Sequence, residues 1–185
     1  MLRFNLTVRA FLLVATASVA LLAFGVGQSF AARPVVTETY NIPEHECNGL
    51  KLEGVSYSFT TGGTPSSDCQ AGTFTGPFST NHLSAPNIEG NAAGVLTLSF
   101  AVPTTIVRFG FALDTGTPQA EGVTVRLYAP GRGVLRKAAS SSATNDPSFV
   151  GGEFEYAGAA IRSVTIAFAG APRFALDNLV YTLGD

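Results

Sequence analysis

From residue 95 onward, apolar and polar positions alternate with a period of two, the mark of strands buried on one face. Val95 to Val102 (VLTLSFAV) sets Leu96, Leu98 and Phe100 on one side. Pro103 has no N–H to give to a ladder and is expected to end that strand. Thr105 to Asp114 follows, with Val107, Phe109, Phe111 and Leu113 facing one way and Arg108, Gly110 and Ala112 the other. Gly122 to Tyr128 turns Val123, Val125 and Leu127 inward, Ala129 to Gly133 (APGRG) makes a turn, and Val134 to Ala138 returns as the second arm of a hairpin. Arg162 to Phe168 alternates through Val164, Ile166 and Phe168, while Phe149 to Tyr156 alternates less regularly. Val35 to Tyr40, Leu50 to Phe59, Thr73 to Phe78 and the closing run Phe174 to Tyr181 complete a set of about nine or ten strands, at the spacing of sandwiches and barrels. One apolar face on each of so many strands predicts an all-β fold: two antiparallel sheets packed on those faces, a β-sandwich of jelly-roll type.

The N-terminus breaks this pattern. Arg3 and Arg9 precede an uncharged apolar run, Ala10 to Val26, and Ser29-Phe30-Ala31 puts small residues where a signal peptidase cuts. Residues 1–31 are therefore read as a signal peptide, helical in its apolar part, and residues 32–185 as a single domain secreted to the periplasm or beyond. Retention of the run as an anchor is the alternative. No cysteine stands near the cleavage point, against a lipoprotein, and after cleavage no transmembrane segment is expected. Loss of Arg3 and Arg9 takes the 11 basic residues down to 9 against 13 acidic. That balance excludes a nucleic-acid footprint and a polybasic membrane patch. In an oxidising compartment Cys47 and Cys69 are expected to pair, closing a loop worth roughly 3 kcal/mol of chain entropy.

Enzyme signatures are absent: there is no G-x-S-x-G, H-E-x-x-H, P-loop or dinucleotide glycine pattern. A pair of carboxylates across a cleft would still serve a glycosidase. Glu44-His45-Glu46 gathers metal-binding types, but in an extended chain the two glutamates face away from the histidine, so it reads as a solvated segment beside the disulfide. Asn81, His82 and Asn87, in a polar loop, could hydrogen-bond a sugar or close their own turns. With no Trp and 14 Phe mostly at inward positions, ring stacking falls to tyrosines, of which Tyr128 is the one taken as a ligand residue. In FALDNLVY the inward parity breaks at Asp177-Asn178, which predicts a bulge whose carboxylate accepts backbone N–H groups or meets solvent at the sheet end.

Three stretches, LTLSF to VRFGFAL, VTVRLYAPGRGVL, and SVTIAF to FALDNLVY, resemble secreted bacterial jelly-roll domains, the group that includes carbohydrate-binding-module-like and exosortase-sorted extracellular proteins. The likeness covers about half of the mature chain and lies in strand patterns rather than in a catalytic signature. It implies a ligand-binding or surface module, and it implies that an aspartate of the last strand, here Asp177, helps to hold a structural calcium ion. Glu38 and Glu53 are the candidate partners, with no basis for choosing between them. The C-terminal Pro-Glu-Pro motif, apolar helix and basic tail of the sorted members are missing, so release or a periplasmic home is expected rather than surface sorting.

The sequence is thus read as a non-catalytic secreted module that binds a carbohydrate or another envelope component, with calcium as its one implied cofactor. The alternatives are a structural or adhesion protein of the envelope or matrix and, third, a small carboxylate-dependent hydrolase.

Overall fold

The computed structural model describes residues 33–72, 83, 86–131, 133–144 and 147–183. The expected signal segment, residues 1–31, and the expected strand Thr73 to Phe78 lie outside the described residues. Those residues form thirteen strands. In chain order they are β1 (Val35–Glu38), β2 (His45–Glu46), β3 (Lys51–Leu52), β4 (Val55–Thr61), β5 (Thr64–Pro65), β6 (Cys69–Ala71), β7 (Ile88–Asn91), β8 (Gly94–Leu113), β9 (Val123–Tyr128), β10 (Val134–Ala139), β11 (Ser142–Ala143), β12 (Val150–Phe168) and β13 (Arg173–Thr182). Every pairing among them is antiparallel.

Two long strands give the fold its shape. The first half of β8 lies between β4 and the second half of β12, which continues through β9 to β10; this is the first sheet. The second half of β8 lies between the first half of β12 and β13, and β13 leads on to β7, β6 and β2, with β1 beside it; this is the second sheet. The ladder between β8 and β12 shifts register from Ala157 to Ile161 and again before Ser163. Pro103 lies at this corner, and β8 runs through it rather than stopping there. At a bend where the ladder is already interrupted, a missing N–H costs nothing. The same corner joins the two strands expected around Tyr156 and Arg162 into one, β12.

The two sheets meet on the alternating residues. Phe168 of the first sheet stacks on Phe174 of the second with ring centroids 3.7 Å apart, Phe59 reaches Phe174 at 6.0 Å, and Phe100 meets Tyr181 at 5.7 Å. Val107, Phe109, Phe111 and Leu113 are all buried, as their parity required. A Cβ on Gly90 would stand 2.7 Å from the Phe174 ring, so only glycine lets β7 lie beneath it. Cys47 and Cys69 continue the β2–β6 ladder and form the expected disulfide; both are buried, which marks it as a structural bond.

Candidate functional site

The aspartate of FALDNLVY sits at a gap in a ladder. Along one edge of β13, β7 pairs as far as Leu176 and β1 takes over at Leu179. Asp177 and Asn178 fall between them, where the β8 ladder on the opposite edge also shifts register and Asn178 adopts φ 52°. The predicted bulge is therefore present, and Asp177 is fully buried at it. Asn87, one residue before β7, is fully buried too, and among the described residues neither polar atom of its side chain has a hydrogen-bond partner. Tyr40, just beyond β1, is buried with φ 51°; its N–H donates to Glu38 Oε1 at 3.2 Å, and its hydroxyl lies 3.4 Å from that of Tyr57. Partial burial raises the Glu38 pKa against the pull of that backbone bond, and the charges of Glu53 and Asp177 raise it further.

The expected calcium ligands Glu38, Glu53 and Asp177 fall at the end of β1, in the β3–β4 turn and in β13. Among the described residues no three His, Cys, Asp or Glu side chains are grouped as a metal site. Glu53 is exposed in the β3–β4 turn at φ 41°, where its carbonyl accepts the Tyr181 hydroxyl at 2.9 Å. Glu38 pairs with Leu179, whose side chain joins the core, whereas Asp177 pairs with Gly110, which alternates with the inward Phe109 and Phe111. Glu38 and Asp177 lie near enough for the Asp177 charge to raise the Glu38 pKa, and a hard cation needs six or more convergent oxygens.

A pocket of about 180 Å³ opens on the outer side of the second sheet, lined by Glu89, Asp114, Phe149, Arg173 and the small Ala112 and Ala175. Adjacent ladder positions supply the floor, since Glu89 pairs with Ala175 and Ala175 with Ala112. Leu83 packs on the two alanines as a separate small cluster. The polar wall is rigid. Arg173 donates from Nε to Glu89 at 2.8 Å and from Nη1 to Asp68, while Asn91 donates to the other Asp68 oxygen at 3.2 Å. The Arg173 bond, helped by Asn91, holds the Asp68 carboxyl below its ordinary pKa. A general acid needs the opposite shift, so Asp68 stays ionised and orients the arginine.

Of the remaining ligand candidates, two are among the described residues. Asn81 and His82 lie outside the described residues. Asn87 leads into the second sheet, whereas Tyr128 ends β9 in the first, half-buried and opposite Val134 and Ser163. His45 and Glu46 are exposed on β2, with Glu44 exposed before it, as expected of a solvated segment. Arg173 escaped sequence reasoning because its partners stand 84 and 105 residues away. The β13–β7 and β7–β6 registers bring them together.

No family model matches the sequence, and no curated protein matches it either. Solved structures resemble the chain. A family 29 carbohydrate-binding module from Piromyces equi has a TM-score of 0.45 at 11% identity, with 83% of this chain and 93% of that one covered. The K2 cleaved adhesin domain of Lys-gingipain has a TM-score of 0.44 at 13% identity, covering 81% and 98%. A variant of a family 29 module complexed with mannohexaose has a TM-score of 0.43 at 11% identity, covering 83% and 94%. Likeness at this level says nothing about which side chains bind what.

Proposed function

We propose that the protein is a secreted, non-catalytic module that holds a sugar unit in the Arg173 pocket. The observation that carries this reading is the hydrogen-bonded polar wall of Glu89 and Arg173 beside the pocket. Hydroxyl groups are recognised by planar charged side chains already held in place. The volume of about 180 Å³ is below the roughly 300 to 1,000 Å³ of drug-sized sites, so the pocket is matched to one ring of a chain rather than to a long segment. The buried disulfide supports export to an oxidising compartment. Among the described residues no helix is long and apolar enough to cross a membrane.

The test is calorimetric titration of the purified protein with soluble oligosaccharides of differing linkage, in calcium and in a chelator. Binding that Asp114→Ala and Arg173→Ala each weaken at least about tenfold supports the pocket. Heat unchanged by both variants removes it. A calcium requirement would return Asp177 to the role of an ion ligand. The structural or adhesion reading is favoured by one feature, the β10 edge, where Val134 is 54% and Leu135 46% exposed.

A further inference from the structure

On the solvent side of the first sheet, ladder pairings align side chains into rows. One row runs Arg136, Arg126, Thr165, Thr97, Ser58 across five strands. The next runs Tyr128, Ser163, Ser99, Ser56, Lys51. All ten residues are half-buried or exposed, and neither row contains a carboxylate. Three cations on so small a field stand out in a chain whose net charge is −2.

The two arginines occupy directly opposed positions, where like charges destabilise a sheet. Arg136 is relieved by Glu121 and by Thr124 at 3.4 Å. Arg126 is exposed, with no ion pair or hydrogen bond among the described residues. Lys51, four strands away from Tyr128, lies about 19 Å across the sheet at the usual strand spacing. Between these cations lie six Ser or Thr hydroxyls, with Tyr128 offering an aromatic face.

We propose that this face binds an anionic polysaccharide. Its acid groups pair with Arg126 at one end, beside the Glu121-paired Arg136, and with Lys51 at the other, the serine and threonine rows take its hydroxyls, and a ring packs on Tyr128. The Arg126 guanidinium supplies the fork geometry that carboxylate and sulfate groups accept. A nucleic acid is the poorer fit, since backbone recognition calls for a denser line of cations than three. The surface lies on the opposite sheet from the Arg173 pocket and stands without it.

The test is retention of the full-length protein in native gels cast with polygalacturonate, dextran sulfate or neutral dextran, with duplex DNA as competitor. Polygalacturonate and dextran sulfate separate carboxylate from sulfate as the acid group. Retention by at least one of them, weakened about tenfold by Arg126→Gln and not by Arg108→Gln on the other sheet, is the expected result. The dependence of log affinity on log salt should also flatten by about one unit for each cation lost. Equal losses in the two variants would reduce the effect to net charge and overturn the assignment. So would retention by neutral dextran alone, no retention at all, or full displacement by duplex DNA.

Discussion

Phe174→Ala tests how the sandwich is held. The ring is 1% exposed, stacks on Phe168 at 3.7 Å, touches Phe59 at 6.0 Å, and occupies the space that Gly90 leaves open. Truncation removes the buried ring and leaves a cavity bounded by both sheets, which for Phe→Ala costs about 3 to 5 kcal/mol. A position held between the rings of Phe168 and Phe59 and the backbone of Gly90 cannot collapse easily, so we expect the upper part of that range. Total stabilities run about 5 to 15 kcal/mol, so the variant should stay folded but lose a large share of its margin. In urea, with m near 2 kcal/mol per M, the midpoint should fall by roughly 2 M with an unchanged slope. A thermal scan should show a drop of roughly 8 to 16 °C. A loss below about 1 kcal/mol with m unchanged would refute the reasoning, because it would mean that the sheets repack without this ring.

Reduction of Cys47–Cys69, or the double substitution to Ala, should lower stability by roughly 3 kcal/mol in the same urea assay. Tyr40, Tyr57 and Tyr181 all have raised pKa values, chiefly from burial. A raised phenol stabilises the fold below its unfolded pKa near 10 and loses that contribution as pH climbs through the folded value. The tyrosinate absorbance of these three, easily read in a chain with no Trp, should therefore appear together with unfolding rather than before it. Glu38 is raised as well, so the neutral carboxyl favours folding at low pH and that gain fades as pH rises through its folded pKa. Glu38→Gln keeps an oxygen for the Tyr40 N–H, so thermal scans from pH 4 to 7 should show the variant gaining on the native protein as pH rises.

The parity of Val107, Phe109, Phe111 and Leu113 was enough to predict their burial, and the break of parity at Asp177 was enough to predict the bulge. Those features depend on neighbours in the chain. Pro103 misled because a proline that ends a flat strand also suits the corner of a bent one, and only the partner strand distinguishes the two. The Arg173 clamp and the opposed Arg126 and Arg136 were invisible for a related reason. Both are consequences of register, and a one-residue slip in any ladder would place the same residues on opposite faces.

The last strand of the chain lies inside the second sheet, with β8 on one edge and β7 and β1 on the other. Without residues 173–182, β1 has no partner strand among the described residues, β7 keeps only β6, and Phe168 and Phe59 lack the ring that closes the core. Removing this one strand therefore opens two edges at once and uncovers apolar faces of both sheets, which makes it the keystone of the sandwich.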